Sequence, residues 1–226
     1  EIVVGARRLR LPIDLKERRE TIQIPLPSEP RYVALDPEHD VLKLMEFPRS
    51  GEELLYGLSR SPFALERVRC ARELGARADR EAVAALFRAA RRDRFWGVRI
   101  AALATLGEIG ERNPRLIARV AALAKGQKPR VRRAVAWALG WVGGDPALKH
   151  LKRIVATEES PYNVGMALLG IARAKKNGAF EALRAEVGRE SHREVLKQHI
   201  FEGMTMLKDP RAVTLLIEHT RLEHKN

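Results

Sequence analysis

The arrangement of apolar and polar positions changes once along the chain, near residue 48. Before that point apolar residues alternate with polar ones, as in Leu9–Leu15 (LRLPIDL) and Thr21–Leu26 (TIQIPL), which is typical of strands with one buried face. Beyond it apolar residues recur every three or four positions, for example at Val98, Ala102 and Leu106, which is typical of amphipathic helices. The pattern therefore predicts a short β segment followed by a long helical region.

Two further strands are predicted in the β segment, at Glu1–Val4 (EIVV) and Arg31–Leu35 (RYVAL). The charged run Lys16–Glu20 between the two alternating stretches reads as a hairpin connection. Residues 1–47 are expected to form a small antiparallel, β-sandwich-like segment. It is expected to be incomplete, with more chain upstream, because so few strands do not bury enough surface to be stable alone.

The helical region, residues 48–226, contains an internal repeat. Five segments align: ERVRCARELG, GVRIAALATLG, RVRRAVAWALG, VGMALLGIAR and LKQHIFEGMT. One column of this alignment holds Arg67, Arg99, Arg132, Gly165 and Lys197, at spacings of 32, 33, 33 and 32 residues. Each segment predicts the first helix of a pair.

A second column marks where each second helix begins. It holds Asp79, Asn113, Asp145, Asn177 and Asp209. Side chains of this type cap free amide groups at helix starts. Three glycines, Gly75, Gly107 and Gly140, are predicted to end the first helices of repeats one to three. The sequence therefore predicts about five helix pairs.

The arginine column has a structural interpretation. An arginine inside an apolar helix can lay its stem along the core and direct its guanidinium to an acid or carbonyl of the next repeat. Asp93 lies six residues before Arg99, a spacing that resembles the Asp and Arg ladder of HEAT repeats. The equivalent positions hold Ser61, Gly126 and Glu159, so the ladder is expected to be partial. We expect Arg67, Asp93, Arg99, Arg132 and Lys197 to be structural. The three tryptophans, Trp96, Trp137 and Trp141, are expected to fill the core.

These features predict a mainly α protein, a HEAT-like α-solenoid of about five helix pairs preceded by a small antiparallel β segment. In such arrays the second helices usually line the concave face. Their basic residues would then form a partner-binding wall: Arg115, Arg119, Lys149, Lys152 and Arg184. With a formal net charge of +13, the chain favours an anionic partner, nucleic acid included. The alternative is that these cations are ordinary solvated residues.

No catalytic constellation is present in the sequence. None of the histidines is followed by glutamate, so there is no His-Glu-x-x-His zinc helix; they are His39, His150, His192, His199, His219 and His224. The single cysteine, Cys70, is expected to be a buried, inert thiol. We therefore expect no metal or cofactor in this chain. The lone cysteine and the absence of a long apolar run favour a cytoplasmic protein without membrane contact.

The order of motifs resembles the C-terminal region of M1-family zinc aminopeptidases. The segment EPRYVALDPEHDVLK, Glu29–Lys43, is similar to the strand that closes their β-sandwich domain. The stretches Glu53–Gly75 and Asp93–Gly107 (DRFWGVRIAALATLG) are similar to their HEAT-like repeats. The resemblance implies a non-catalytic module that packs on the catalytic domain and controls peptide access to its zinc. The alternative is a stand-alone HEAT-repeat scaffold that binds a protein or an anionic partner such as nucleic acid.

Overall fold

The computed structural model describes residues 1–111, 113–174 and 177–223. Within them, eleven α-helices follow a small sheet, so the predicted mainly α architecture is confirmed. The helices are α1 (Gly51–Arg60), α2 (Ala64–Glu73), α3 (Arg80–Arg92), α4 (Trp96–Glu111), α5 (Ile117–Ala122), α6 (Pro129–Val142), α7 (Gly144–Thr157), α8 (Pro161–Arg173), α9 (Ala179–Ala185), α10 (Val195–Leu207) and α11 (Pro210–Glu223). The five predicted pairs are α2–α3, α4–α5, α6–α7, α8–α9 and α10–α11, and α1 precedes them. The chain forms two compact units, Glu1–Ala101 and Ala102–Asn226.

The sheet of the first unit has three short antiparallel strands in the order β2-β1-β3. They are β1 (Ile2–Val4), β2 (Arg7–Leu9) and β3 (Tyr32–Val33), with Ile2 opposite both Leu9 and Val33. The strand predicted at Glu1–Val4 is therefore confirmed. The strand predicted at Arg31–Leu35 is confirmed only at Tyr32 and Val33.

The strands predicted at Leu9–Leu15 and Thr21–Leu26 are wrong. Beyond Leu9 both stretches lack regular backbone pairing, and most of their apolar side chains are exposed, Leu15 to 70%, while Ile24 and Leu26 are half-buried. A strand pattern is stabilised mainly by packing of its apolar face against another layer. None of the apolar side chains of these stretches beyond Leu9 is fully buried, so the alternation does not produce strands here.

A buried polar cluster joins the sheet to the helices behind it. The Tyr32 hydroxyl of β3 donates a hydrogen bond of 3.1 Å to Glu66 of α2, and the fully buried Arg49 guanidinium donates to both Glu66 and Glu73. The Tyr32 ring also lies 5.4 Å from the Tyr56 ring of α1. Burial raises the pKa of Tyr32, and the nearby Cys70 and Glu66 add to that shift. The hydroxyl therefore stays protonated and acts as a donor.

Only some of the predicted caps are formed. The Asp79 carboxylate accepts hydrogen bonds from the backbone amides of Glu81 and Ala82, and the Asp209 carboxylate accepts one from Arg211. The other three predicted caps are wrong: the Asn113 side chain makes no capping bond, Asp145 lies inside α7, and the residue before α9 is Gly178. Gly143 and Gly178 have positive φ angles, and this backbone conformation starts α7 and α9 without an Asx side chain.

Two of the predicted stop glycines are instead packing residues. Gly107 and Gly140 lie inside α4 and α6. A Cβ on Gly107 would lie 2.9 Å from the Cα of Ala138, and a Cβ on Gly140 would lie 2.7 Å from the Cα of Gly170. Glycine is therefore present because the backbones of neighbouring helices approach too closely for a side chain.

The second unit contains the clearest layering. The first helices α6, α8 and α10 contact one another in sequence, and the second helices α5 and α7 also contact each other. The predicted apolar stripe of α6 is confirmed, since Val131, Val135 and Leu139 are at most 1% exposed. Among the described residues, no helix is both long and apolar enough to cross a membrane.

Replacing Gly140 with alanine should lower the free energy of unfolding by about 1–3 kcal/mol, because the new methyl group meets the Gly170 backbone, which has no flexible side chain to move. Urea unfolding followed by circular dichroism measures this change. Gly188→Ala is the matched control. No atom lies near its added Cβ, so we expect no loss, or a gain of up to about 1 kcal/mol. Equal effects of the two substitutions would contradict the close approach.

Candidate functional site

The first recurring polar feature is an arginine that donates to both oxygens of a carboxylate 26 residues further along the chain. Arg67 of α2 donates to both oxygens of Asp93, over 2.8 Å and 2.9 Å. Its remaining terminal nitrogen donates to the carbonyls of Ser61 and Pro62. Asp93 in turn accepts the amide of Phe95 at the start of α4. One ion pair thus ties together α2, the turn before it and the beginning of the next repeat.

The same arrangement recurs in the second unit. Arg132 of α6 donates to both oxygens of Glu158, over 2.8 Å and 2.7 Å, and to the carbonyl of Gln127. The hydrogen bonds from Arg132 hold the pKa of Glu158 at about 2, and the same pair raises the pKa of Arg132. The acid is Glu158 and not Glu159, the position that the repeat alignment selects. A fixed interval of 26 residues from each arginine would have found both Asp93 and Glu158.

The other members of the predicted ladder do not repeat this geometry. The 26-residue interval leads from Arg99 to Lys125 and from Gly165 to Ser191, and neither position holds an acid. Arg99 is half-buried on α4. Lys197 pairs with Glu194, three residues before it, and so does not reach another repeat through that bond.

The predicted basic wall lies entirely in the second unit and is exposed throughout. Arg115 is in the short 3₁₀ turn before α5, Arg119 is on α5, Lys149 and Lys152 are on α7, and Arg184 is on α9. Because α5 contacts α7, three of the five residues, Arg119, Lys149 and Lys152, lie on neighbouring second helices.

The charge of this surface affects a nearby histidine. Burial lowers the pKa of His150 on α7, and the positive charges of Arg153 and Lys149 lower it further. Lys149 and Lys152 form no ion pair with any residue that the structure describes. These two lysines, with Arg153 beside them, therefore give the α7 surface an excess of positive charge over the single acid of that helix, Asp145.

The candidate catalytic and metal-binding side chains do not come together. No group of three His, Cys, Asp or Glu residues within the described ranges could hold a metal ion. His199 and His219 each bond through Nδ1 to a backbone carbonyl of their own helix, and His224 lies outside the described residues. The turn at Asp36 is stabilised by its carboxylate, which accepts the amides of Asp40 and Val41.

The tryptophans differ from the core residues that the sequence predicts. Trp96 is 38% exposed and stacks against Phe95, with ring centroids 5.3 Å apart. Trp137 and Trp141 are half-buried neighbours on α6, and the Arg173 guanidinium of α8 lies 3.9 Å above the Trp141 ring. Each indole ring is partly buried and partly exposed, because a ring of this size is rarely enclosed completely between closely packed helices.

Comparison with known proteins identifies the repeat. A sequence profile of HEAT repeats matches residues 51–126 and 112–168, which together are more than half of the chain. No curated protein matches in sequence. Among solved structures, the complex of CpcE and CpcF of phycocyanin lyase from Nostoc sp. is 19% identical, with a TM-score of 0.57, over 78% of this chain and 74% of that one. Human deoxyhypusine hydroxylase in complex with glycerol is 15% identical, with a TM-score of 0.32, over 74% and 78%.

The resemblance to M1-family aminopeptidases is wrong. Glu53–Gly75 and Asp93–Gly107, which carry most of it, fall within the HEAT-repeat match, and no curated peptidase matches the chain. The solved structure of similar fold, the complex of CpcE and CpcF of phycocyanin lyase, is also not a peptidase. The residues that resemble the aminopeptidase motif have structural roles in the HEAT repeat: Asp93 bonds to Arg67, and the apolar positions form the helix core. The assignment of this chain to the M1 metallopeptidases, and with it the expected partner, a peptidase catalytic domain, is therefore not supported.

The thiol of Cys70 should be unreactive in the folded protein. It is fully buried, and burial raises its pKa to about 12, so almost no thiolate exists at neutral pH. We expect Ellman's reagent at pH 8 to label no thiol in the native chain and one after denaturation in guanidinium chloride. The variant Arg72→Cys places a second thiol on the exposed side of the same helix and should give one labelled group while folded. Rapid native labelling of the unmodified chain would contradict the burial.

The Arg132–Glu158 bridge should give a stability contribution that depends on pH. The pKa of Glu158 is about 2 in the folded chain and near 4.5 when unperturbed. Because folding lowers this pKa, the contribution is complete above about pH 4.5 and is lost as the pH falls towards 2. Arg132→Gln should therefore lower the free energy of unfolding by about 1–3 kcal/mol at pH 7 and by much less near pH 2.5.

Urea denaturation at both pH values measures the difference. Lys128→Gln, which removes one exposed charge just before α6, is the control and should have little effect at either pH. A loss for Arg132→Gln that is the same at pH 7 and pH 2.5 would show that the ion pair is not its cause.

Proposed function

Because the chain belongs to the HEAT-repeat family, we propose that it is a non-catalytic scaffold that binds an acidic protein partner. The binding surface is the basic face of the second helices in the second unit, formed by Arg115, Arg119, Lys149, Lys152 and Arg184. The observation that carries the proposal is the pair of exposed lysines on α7, Lys149 and Lys152, which form no ion pair with any residue that the structure describes.

The architecture supports a binding role. In HEAT-repeat proteins each helix pair contacts its neighbours with one side and leaves another open, so successive pairs present an extended surface. A solved structure of similar fold is a complex of two proteins, CpcE and CpcF, although at 19% identity this likeness concerns the fold alone. We therefore favour a protein over a small molecule as the partner.

Electrostatics supports the acidic character of that partner. The chain carries a net charge of +13, and long-range attraction of this kind increases association rates with acidic proteins. An exposed ion pair contributes about 0.2–1 kcal/mol, so three or four such pairs together contribute about 0.6–4 kcal/mol, a change in affinity of roughly threefold to a thousandfold.

Nucleic acid is the second candidate, because the same net charge would attract phosphates. The positions of the lysines on α7 help to decide between a nucleic-acid and a protein partner. Lys149 and Lys152 are one turn apart on a single short helix, and the apolar Val155 and Ile154 that follow them are half-buried. A surface that mixes cations with partly accessible apolar groups suits a protein better than a phosphate backbone.

Reversing three charges tests the surface. The variant Arg115→Glu/Arg119→Glu/Lys152→Glu should bind a fluorescein-labelled, glutamate-rich peptide of 20 residues at least tenfold more weakly than the unmodified chain. Fluorescence anisotropy measures the dissociation constant, and circular dichroism verifies that the variant is folded.

The control is Lys128→Glu/Arg193→Glu/Lys208→Glu, which changes the net charge equally at exposed residues outside the second helices. It should retain binding within about threefold. Equal weakening by both variants would refute the surface, and tighter, strongly salt-dependent binding of duplex DNA would favour the nucleic-acid alternative.

A further inference from the structure

The first unit contains a large cavity lined by arginines, at the end of α1 and α3. Its volume is about 650 Å³, within the range of ligand-binding clefts. The ionisable residues around it are Arg60, Arg67, Arg88, Arg92, Asp93 and Arg94. Five positive charges therefore face one carboxylate.

That carboxylate is already used. Both oxygens of Asp93 accept hydrogen bonds from Arg67, and one also accepts the Phe95 amide. The carbonyls of Ser61 and Pro62 accept from Arg67, and Pro62 also accepts from Arg94 over 2.7 Å. The internal acceptors of the cavity are thus occupied by two of its five arginines.

The other three arginines have no acidic partner. Arg60, Arg88 and Arg92 are exposed and form no ion pair within the part of the chain that the structure describes. Two of these arginines can stabilise the ends of their helices. Arg60 and Arg92 are the last residues of α1 and α3, where a positive charge interacts favourably with the helix dipole.

Arg88 is not explained in this way. It lies one turn before Arg92 on the same face of α3, and two like charges at this spacing repel each other. Arg60 adds a third positive charge from α1, which contacts α3. An anion in the cavity would relieve the repulsion among these three charges, and each guanidinium can bind a carboxylate through two parallel hydrogen bonds.

The spacing of these forks indicates the ligand. Residues four apart on a helix rise about 6 Å along its axis, so Arg88 and Arg92 present two forks at about that distance. In an extended peptide, side chains two residues apart lie on one face and are separated by about 6.5 Å. Two acidic residues separated by one other residue therefore match the two forks, and Arg60 and Arg94 lie close enough to the same cavity to bind the peptide's carbonyls.

We propose that this cavity binds an extended acidic segment of the protein partner, in which two carboxylate side chains are separated by one residue. The ligand class rests on the proposed scaffold function, but the site is in the other unit and uses other residues. The sequence alone does not group these arginines, because Arg60 is on α1, Arg88 and Arg92 are on α3, and Arg94 is in the turn after α3. Only the Arg88-x-x-x-Arg92 spacing, on the predicted second helix of repeat one, can be recognised from the sequence.

The experiment uses the chain that carries Arg115→Glu/Arg119→Glu/Lys152→Glu, so that the basic face of the second unit does not contribute. Two labelled peptides of identical composition are compared by fluorescence anisotropy, one with Glu-Gly-Glu spacing and one with adjacent glutamates. We expect the Glu-Gly-Glu peptide to bind at least threefold more tightly, because adjacent side chains of an extended peptide point to opposite faces.

Adding Arg88→Gln/Arg92→Gln should weaken binding of the Glu-Gly-Glu peptide at least tenfold. The matched control is Arg72→Gln/Arg80→Gln, which removes two exposed charges from α2 and α3 outside the cavity and should change binding less than twofold. Arg60→Gln alone should weaken binding by a smaller factor, and it gives an independent readout if the double variant is unstable.

Three results would overturn the proposal: equal weakening by the control pair, no preference between the two peptides, or displacement of the peptide by inorganic phosphate at similar concentration. The last would assign the cavity to phosphate anions. If the reversals in the second unit leave binding of acidic peptides unchanged, the proposed surface there fails, whereas the cavity is judged separately by the three results above.

Discussion

A buried guanidinium needs a fixed carboxylate, and this need links one repeat of the chain to the next. Arg67 is only 4% exposed, and leaving such a charge without a partner would cost several kcal/mol. Asp93 satisfies it from 26 residues away and at the same time begins the next first helix by accepting the Phe95 amide. The interval between arginine and acid thus sets where a repeat ends and its successor starts, and Arg132 with Glu158 repeats the arrangement in the second unit.

Most of the helical architecture could be predicted because its signals are local. The stripe at Val131, Val135 and Leu139 depends on the helix period alone, and the repeat alignment located all five pairs. Glycine was harder to interpret, because it both ends helices and permits close contact between them. Only the three-dimensional structure shows that Gly140 faces Gly170. The partner of Arg132 was missed by one position, since the turn that presents Glu158 is not fixed by the helix period.

The strands and the sites depend on tertiary contacts, which limited their prediction. The alternation at Leu9–Leu15 is as regular as in a real strand, but no second layer covers it. The exposure of Lys149 and Lys152 follows from amphipathicity and could be predicted. The cavity of Arg60, Arg88 and Arg92 could not, because it forms only when α1 packs against α3. The resemblance to aminopeptidases arose from residues that build the repeat, and such residues indicate a fold without indicating an activity.

The burial of Cys70 has a practical value for studying this molecule. Because the chain has one cysteine and its thiol lies beneath Arg49, 3.4 Å from the guanidinium, a surface cysteine can be labelled selectively without first removing the natural one. Two such labels, one in Glu1–Ala101 and one in Ala102–Asn226, would form a donor and acceptor pair for resonance energy transfer. The separation between the two units can then be measured optically, both with and without an added acidic peptide, while Cys70 stays in place.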